Sequence, residues 1–207
     1  MLNTIRKLFL IISFIFLVSC QVQSEKKEPV NIKSINNNEW TITSKGIGNI
    51  ELGKSITKTI NQLNTIYKTK KSRFNTYPIY ENGRKKEIML VSPIPKTDII
   101  GSIRIYTDKW KTECGLKKGL TIKDINKFYK DFFLEYDNNS GSEYFYKVGE
   151  FKTNNKTFKS LTKFHFIGPT SDYLGDYKFN ESIGRYDKST INNEEGTLNF
   201  IEIILTK

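Results

Sequence analysis

A chain of 207 residues with 33 basic and 22 acidic side chains, one histidine and two cysteines excludes several chemistries before any motif is sought. One histidine and two distant cysteines cannot supply a zinc set, and two cysteines make no disulfide framework. The net charge of +11 would ordinarily point to an acidic partner. However, the chain has no alanine and is crowded with Lys, Asn, Ile, Phe and Tyr, residues with AT-rich codons, so the lysine excess reads as composition. A solvated surface is expected and no nucleic acid partner, with weak adhesion to anionic headgroups or cell-wall phosphates left open.

The first element is a leader. Arg6 and Lys7 precede two apolar runs, Leu8 to Ile12 and Phe14 to Val18, and the small residue Ser19 stands before Cys20. This is the layout of a signal peptide, with an apolar run too short for a stable span. Leu17-Val18-Ser19-Cys20 resembles the lipobox of bacterial lipoproteins. That resemblance implies cleavage before Cys20, acylation of its sulfur and amino group, and a body tethered to the cell envelope by several acyl chains. Gln21 after the cysteine implies the outer membrane of a Gram-negative bacterium, while Glu25-Lys26-Lys27-Glu28 leaves surface export open. An ordinary signal peptide with an incidental cysteine is the rival reading. Residues 20–38 are polar and Asn-rich with Pro29, and read as a linker. The expected organisation is a signal peptide over 1–19, a lipidated N-terminus and linker over 20–38, and one domain over 39–207.

In that domain, Glu39 to Ser44 and Ile47 to Leu52 read as short strands. Ser55 then opens a helix over Ile56 to Tyr67, with Ile56, Ile60 and Leu63 on one face. Arg73 to Tyr80 and Lys86 to Ser92 are strands joined at Asn82-Gly83, the strongest short hairpin signal. Ile99 to Thr107 alternates, with Ile103 and Ile105 on one face and Arg104 and Tyr106 on the other. Thr121 is a good N-cap with Asp124 three residues on, and Ile122, Ile125, Phe128, Tyr129, Phe132 and Phe133 predict a second helix reaching Glu135. Tyr144 to Lys152 and Lys156 to Ile167 form a hairpin around Asn154-Asn155, and Thr197 to Thr206 is a last strand. The expected fold class is therefore α+β, an antiparallel sheet with two main helices. Gly53-Lys54-Ser55-Ile56 and Gly119-Leu120-Thr121-Ile122 suggest either two duplicated helix-plus-strands units or one good helix-start chemistry used twice.

Gly46-Ile47-Gly48, Asn82-Gly83, Gly115 with Gly119 before a helix, and Phe166-Ile167-Gly168-Pro169 fall in the order seen in the sigma-E-regulated envelope lipoproteins, a family of unknown function. The Gly-x-Thr helix entry also resembles repeats of small outer-membrane-assembly lipoproteins and of beta-lactamase-inhibitor-like domains. These resemblances imply an envelope lipoprotein without demonstrated catalysis and carry over no catalytic residue.

Direct signs of chemistry are sparse. His165, the only histidine, lies within Phe164-His165-Phe166, and a structural or solvent-facing role is expected for it. With Cys20 lipidated, Cys114 has no intramolecular partner. A buried structural thiol is expected there, against a reactive one near a helix start. Asp137, Asn139 and Gly141 hint at a calcium loop, but Ser142 and Val148 stand where glycine and glutamate are needed. Gly46-Ile47-Gly48 lacks the third glycine and the βαβ setting of a dinucleotide site. No cofactor and no metal are expected.

The suggestive segment is Gly168 to Asp187, long and aperiodic, with Asp172, Tyr173, Asp176, Tyr177 and Tyr186 as candidate binding residues. The expectation is a lipid-anchored, non-enzymatic envelope protein whose partners are the bilayer, through Cys20, and an envelope protein or peptidoglycan. The alternatives are a glycan- or peptide-directed hydrolase using that loop, with Asp172 and Asp176 as its acids, and a structural protein joining membrane to wall by charge.

Overall fold

A computed structural model describes residues 40–129, 132–138, 141–153, 156–170, 172–182 and 184–206. The leader, Cys20, the linker and the Asn154-Asn155 turn lie outside the described residues, as does Asn139 of the calcium-like stretch.

Eight strands make the main sheet: β4 (Tyr67–Thr69), β5 (Tyr77–Glu81), β6 (Glu87–Pro93), β7 (Ile100–Ile105), β9 (Glu135–Asp137), β10 (Ser142–Thr153), β11 (Lys156–Ile167) and β14 (Thr197–Thr206). Their order is β4-β5-β6-β7-β14-β11-β10-β9, every pair antiparallel. A second sheet holds β1 (Thr41–Ile42), β2 (Gly46–Ile47), β3 (Ile50–Glu51) and β8 (Lys111–Thr112), in the order β3-β2-β1-β8. A small hairpin of β12 (Phe179–Asn180) and β13 (Arg185–Tyr186) stands apart.

β5 and β6 pair across Asn82-Gly83 as expected, but through a longer loop, residues 82–86, in which Gly83 takes φ 78° and Asn82 does not take a positive φ. The alternation of β7 also holds: Ile103 and Ile105 are buried against the core, and Arg104 faces the other way toward Glu202. Ile47 to Leu52, expected as one strand, is instead the tight β2–β3 turn. Gly48 takes φ 54° there, and a Cβ on it would lie 2.6 Å from the Trp40 ring. Trp40 in turn stacks on Trp110 at 5.4 Å.

The α+β expectation is overturned: the fold is β-rich with two small helices. α1 (Ile56–Leu63) is capped by Ser55, whose hydroxyl accepts from the Lys58 amide, and it buries Ile56, Thr59, Ile60 and Leu63. It stops short of Tyr67, which pairs with Glu81 as the first residue of β4 while its ring meets Trp40 edge-on at 5.9 Å. α2 (Ile122–Ile125) has the Thr121–Asp124 capping box but runs for only four residues. The helix expected as far as Glu135 fails for a geometric reason. Phe132 packs on Phe145 at 4.5 Å, and Leu134, two residues on, is also buried in the core. A helix places residues two apart on different faces, whereas extended chain past a turn lets both point inward. Phe128 and Phe133 are left half-exposed, and Leu134 exchanges two backbone hydrogen bonds with Ser189.

Both helix entries dock on the centre of the main sheet in the same way. The Gly53 amide donates to Ile100 O, the Ile100 amide to Lys54 O, and the Ile56 amide to Asp98 O. The Gly119 amide donates to Leu198 O, the Leu198 amide to Leu120 O, and the Ile122 amide to Gly196 O. Outward from the β7–β14 seam, the strands run β7-β6-β5-β4 on one side and β14-β11-β10-β9 on the other. One hydrophobic core, with Met89, Val91, Ile103, Phe145, Phe164 and Ile203 among its members, spans both halves. Among the described residues, no helix is long and apolar enough to cross a membrane.

Candidate functional site

The Gly168 to Asp187 segment is fixed at its middle by a buried carboxylate. Oε1 of Glu143 accepts from the Leu174 amide at 2.7 Å and the Gly175 amide at 3.1 Å. The Leu174 side chain is fully buried, and its carbonyl accepts from the Asn192 and Asn193 amides. With Leu174 fixed, Tyr173 and Tyr177 are carried to one place.

That place is centred on Tyr136 of β9. Its ring centroid lies 5.1 Å from Tyr173, 5.7 Å from Tyr177 and 5.3 Å from Tyr186, with the first and third pairs nearly perpendicular. Edge-to-face contact is the favoured arrangement for aromatic pairs at such distances. Phe179 extends the group, 5.3 Å from Tyr186. Tyr173 is 58% and Phe179 53% exposed, so the cluster presents apolar surface to solvent. Burial and the nearby Glu143 charge push the Tyr177 hydroxyl well above its ordinary value, so it stays protonated. The hydrogen bond with Tyr173, followed by burial, does the same to a lesser degree for Tyr136.

A cleft of about 180 Å³ adjoins the cluster, lined by Glu135, Tyr136, Tyr144, Arg185, Tyr186 and Lys188 among others. Lys188 Nζ is 3.0 Å from Glu135 Oε1, and the Tyr144 hydroxyl donates to Glu135 Oε2 at 3.1 Å. Ring faces beside a carboxylate, an ammonium and a guanidinium suit a ligand that is apolar on one side and hydroxylated or amidic on the other.

Three of the five residues picked from sequence, Tyr173, Tyr177 and Tyr186, thus converge. Asp172 and Asp176 do not line the cleft: Asp172 accepts from the Thr170 hydroxyl at 3.0 Å in a local turn, and Asp176 is exposed. Tyr136, the centre of the cluster, lies just past the stretch read from sequence as the end of a helix. Only the alternation of β9 with the hairpin after it could have exposed it.

His165 lies on the outer face of the main sheet. Its Nδ1 is 2.9 Å from Ser142 Oγ and its Nε2 3.5 Å from Glu202 Oε2, while its ring stacks on Phe200 at 4.1 Å. Serine, histidine and carboxylate are the elements of a nucleophilic triad. Here the histidine is buried, with the Tyr144 and Phe200 rings against it.

Cys114 is exposed, contrary to the buried role expected for it. Its sulfur is 2.7 Å from the Tyr129 hydroxyl and 3.1 Å from Thr112 Oγ1, in a cleft of about 260 Å³ that Lys147 also lines. The turn that replaces the expected long helix brings Tyr129 over the thiol. Partial burial opposes ionisation, but the hydrogen bonds from Thr112 and Tyr129 and the Lys147 charge outweigh it and hold the thiol below its ordinary value. Among the described residues, no group of three or more His, Cys, Asp or Glu side chains could hold a metal ion.

No protein-family model matches the chain, and no curated protein matches it. Among solved structures, the chain is similar to the uncharacterized protein yfeY from Escherichia coli, with 11% identity over 80% of this chain and 99% of that one and a TM-score of 0.45.

Proposed function

We propose that this protein is a lipid-anchored component of the bacterial cell envelope, held through Cys20, that binds a glycan or peptide of that compartment without transforming it. The observation that carries the binding role is the convergence of Tyr173, Tyr177 and Tyr186 on Tyr136 beside a cleft that holds both signs of charge. Tyrosine gives large contact area with little rotamer entropy to lose, and its rings stack on the apolar face of a sugar. The anchor reading is supported by Leu17-Val18-Ser19-Cys20 closing an apolar leader.

Two measurements test the proposal. Mass spectrometry of the protein purified from bacterial membranes is expected to show the leader removed and acyl chains on Cys20. An unmodified Cys20, or an intact leader, defeats the anchor. Sedimentation of the protein with purified peptidoglycan, and with its soluble muropeptides and stem peptides, is expected to show saturable binding that Tyr173→Ala with Tyr186→Ala removes. Binding that is absent, or unchanged in the double variant, defeats the binding role assigned to the cluster.

A further inference from the structure

The loop between β4 and β5 combines features that the tyrosine site does not use. From residue 52 to residue 80 the chain carries Lys54, Lys58, Lys68, Lys70, Lys71 and Arg73 and no acidic side chain. Four of these six cations gather at the end of β4. Phe74, at the tip, is the most exposed large hydrophobic of the described residues, at 73%.

The exposure is built into the loop. The Ser72 amide donates to Thr76 O at 2.8 Å, and the Asn75 amide to Ser72 O at 3.1 Å. The Ser72 and Thr76 hydroxyls meet at 2.7 Å, and Ser72 Oγ also accepts from the Phe74 amide. Asn75 takes φ 59°, a left-handed conformation that asparagine tolerates. This clamp closes the loop beneath Arg73-Phe74-Asn75 and turns the Phe74 ring outward. The Arg73 guanidinium lies over that ring, 4.8 Å from its centroid.

We infer that this loop is a membrane-contacting finger that docks on anionic lipid headgroups and sinks Phe74 into the headgroup–acyl boundary. An exposed aromatic ring with Arg73 over it and exposed lysines shortly before it in the chain matches both layers of such a surface: lysine and arginine meet the phosphates, and the ring sits at the interface where aromatic side chains collect. A soluble polyanion would satisfy the cations but leave the ring in water. Trp40, where the described residues begin, packs against Tyr67 at the start of β4, three residues before Lys70. Twenty residues from Cys20 reach at most about 70 Å, which gives the finger access to the bilayer holding the anchor. This last point rests on the proposed anchor; the charge and the exposed ring do not.

The test uses a chain starting at Gln21, so that neither leader nor acyl group contributes. The buried core runs from Trp40 to Ile203, so a chain starting at Gln21 retains every core residue and is expected to keep its fold. It is expected to bind vesicles containing phosphatidylglycerol and not vesicles of phosphatidylcholine alone. Phe74→Ala should weaken that binding about tenfold, and Lys70→Glu with Lys71→Glu by more than tenfold. In a Phe74→Trp variant, added tryptophan emission should shift to shorter wavelength with anionic vesicles and stay unshifted with soluble heparin. Equal vesicle binding by wild type and Phe74→Ala overturns the inference, as does an unshifted emission. Tight heparin binding without vesicle binding overturns it too, in favour of a polyanion site. Because Cys20 is absent from this chain, these outcomes are independent of whether Cys20 is acylated in cells.

Discussion

Arg104 on β7 donates through Nε to Oε1 of Glu202 on β14 at 2.6 Å, across the pair of strands that joins the two halves of the main sheet. Burial by itself would raise the Glu202 pKa, but the neighbouring His165 ring and the hydrogen bond and charge of Arg104 overcome it and hold the carboxyl below its ordinary value. A depressed folded-state pKa contributes stability that is present above the unfolded value, about 4.3, and is lost as pH falls through the folded value. Glu202→Gln is therefore expected to cost about 1–3 kcal/mol at neutral pH, and progressively less below about pH 4. Urea unfolding at pH 7 and at pH 3.5 measures both. An equal loss at the two pH values would contradict the ion-pair account.

Glu143 anchors the tyrosine loop through two backbone amides. Glu143→Ala leaves those buried amides without their charged acceptor, at about 2–3 kcal/mol. Hydrogen exchange should locate the effect: the Leu174 and Gly175 amides are expected to lose protection, while those of β6 and β7 keep theirs.

Tyr136 holds the cluster together by its ring, since Tyr173, Tyr177 and Tyr186 all pack against it. Tyr136→Leu is expected to reduce the near-ultraviolet circular dichroism of the tyrosines and to abolish ligand binding. Tyr136→Phe should retain the dichroism, because the edge-to-face contacts need the ring and not the hydroxyl.

Cys114 is poised to ionise below the ordinary thiol range by Thr112, Tyr129 and Lys147. Its alkylation by iodoacetamide is expected to reach half its maximal rate at a pH below about 8.5, the value of a free cysteine. Lys147→Gln and Tyr129→Phe should each move that midpoint upward. A wild-type midpoint at or above the free value would contradict the arrangement.

Gly48 has both a left-handed backbone and the Trp40 ring against it. Gly48→Ala is expected to destabilise the chain by about 1–3 kcal/mol, combining backbone strain with overpacking. Thermal unfolding checks this. Gly83→Ala serves as the comparison, because a Cβ there meets nothing within 4 Å and only the backbone cost remains.

Local signals were readable in this chain, and long-range ones were not. Asn82-Gly83 announces its hairpin, and the alternation at Ile103, Arg104 and Ile105 gives the faces of β7. Thr121 and Asp124 name a helix start, and the capping box is there. The end of that helix is not written locally. Phe128, Tyr129, Phe132 and Phe133 fit a helical period, yet Phe132 is held by Phe145 and Phe166 from distant strands, and tertiary packing overrides the local pattern. The tyrosine loop was visible as an irregular, aromatic stretch. Its centre at Tyr136 was not, because the contact joins residues 37 positions apart. Asp172 and Asp176 share that stretch without sharing the cleft, since membership of one loop fixes no side-chain direction.

The seam between β7 and β14 also sets an order of events for the growing chain. Its register pairs Ser102, Ile103, Arg104 and Ile105 with residues from Ile201 to Ile204, about a hundred positions later. The hairpins of β5 with β6, β6 with β7, and β10 with β11 close over short separations and need no such wait. Until residues 197–206 are available, β7 and β11 each present an unpaired edge rich in isoleucine or phenylalanine, the kind of edge that recruits other chains. Insertion of β14 between them hides both edges at once.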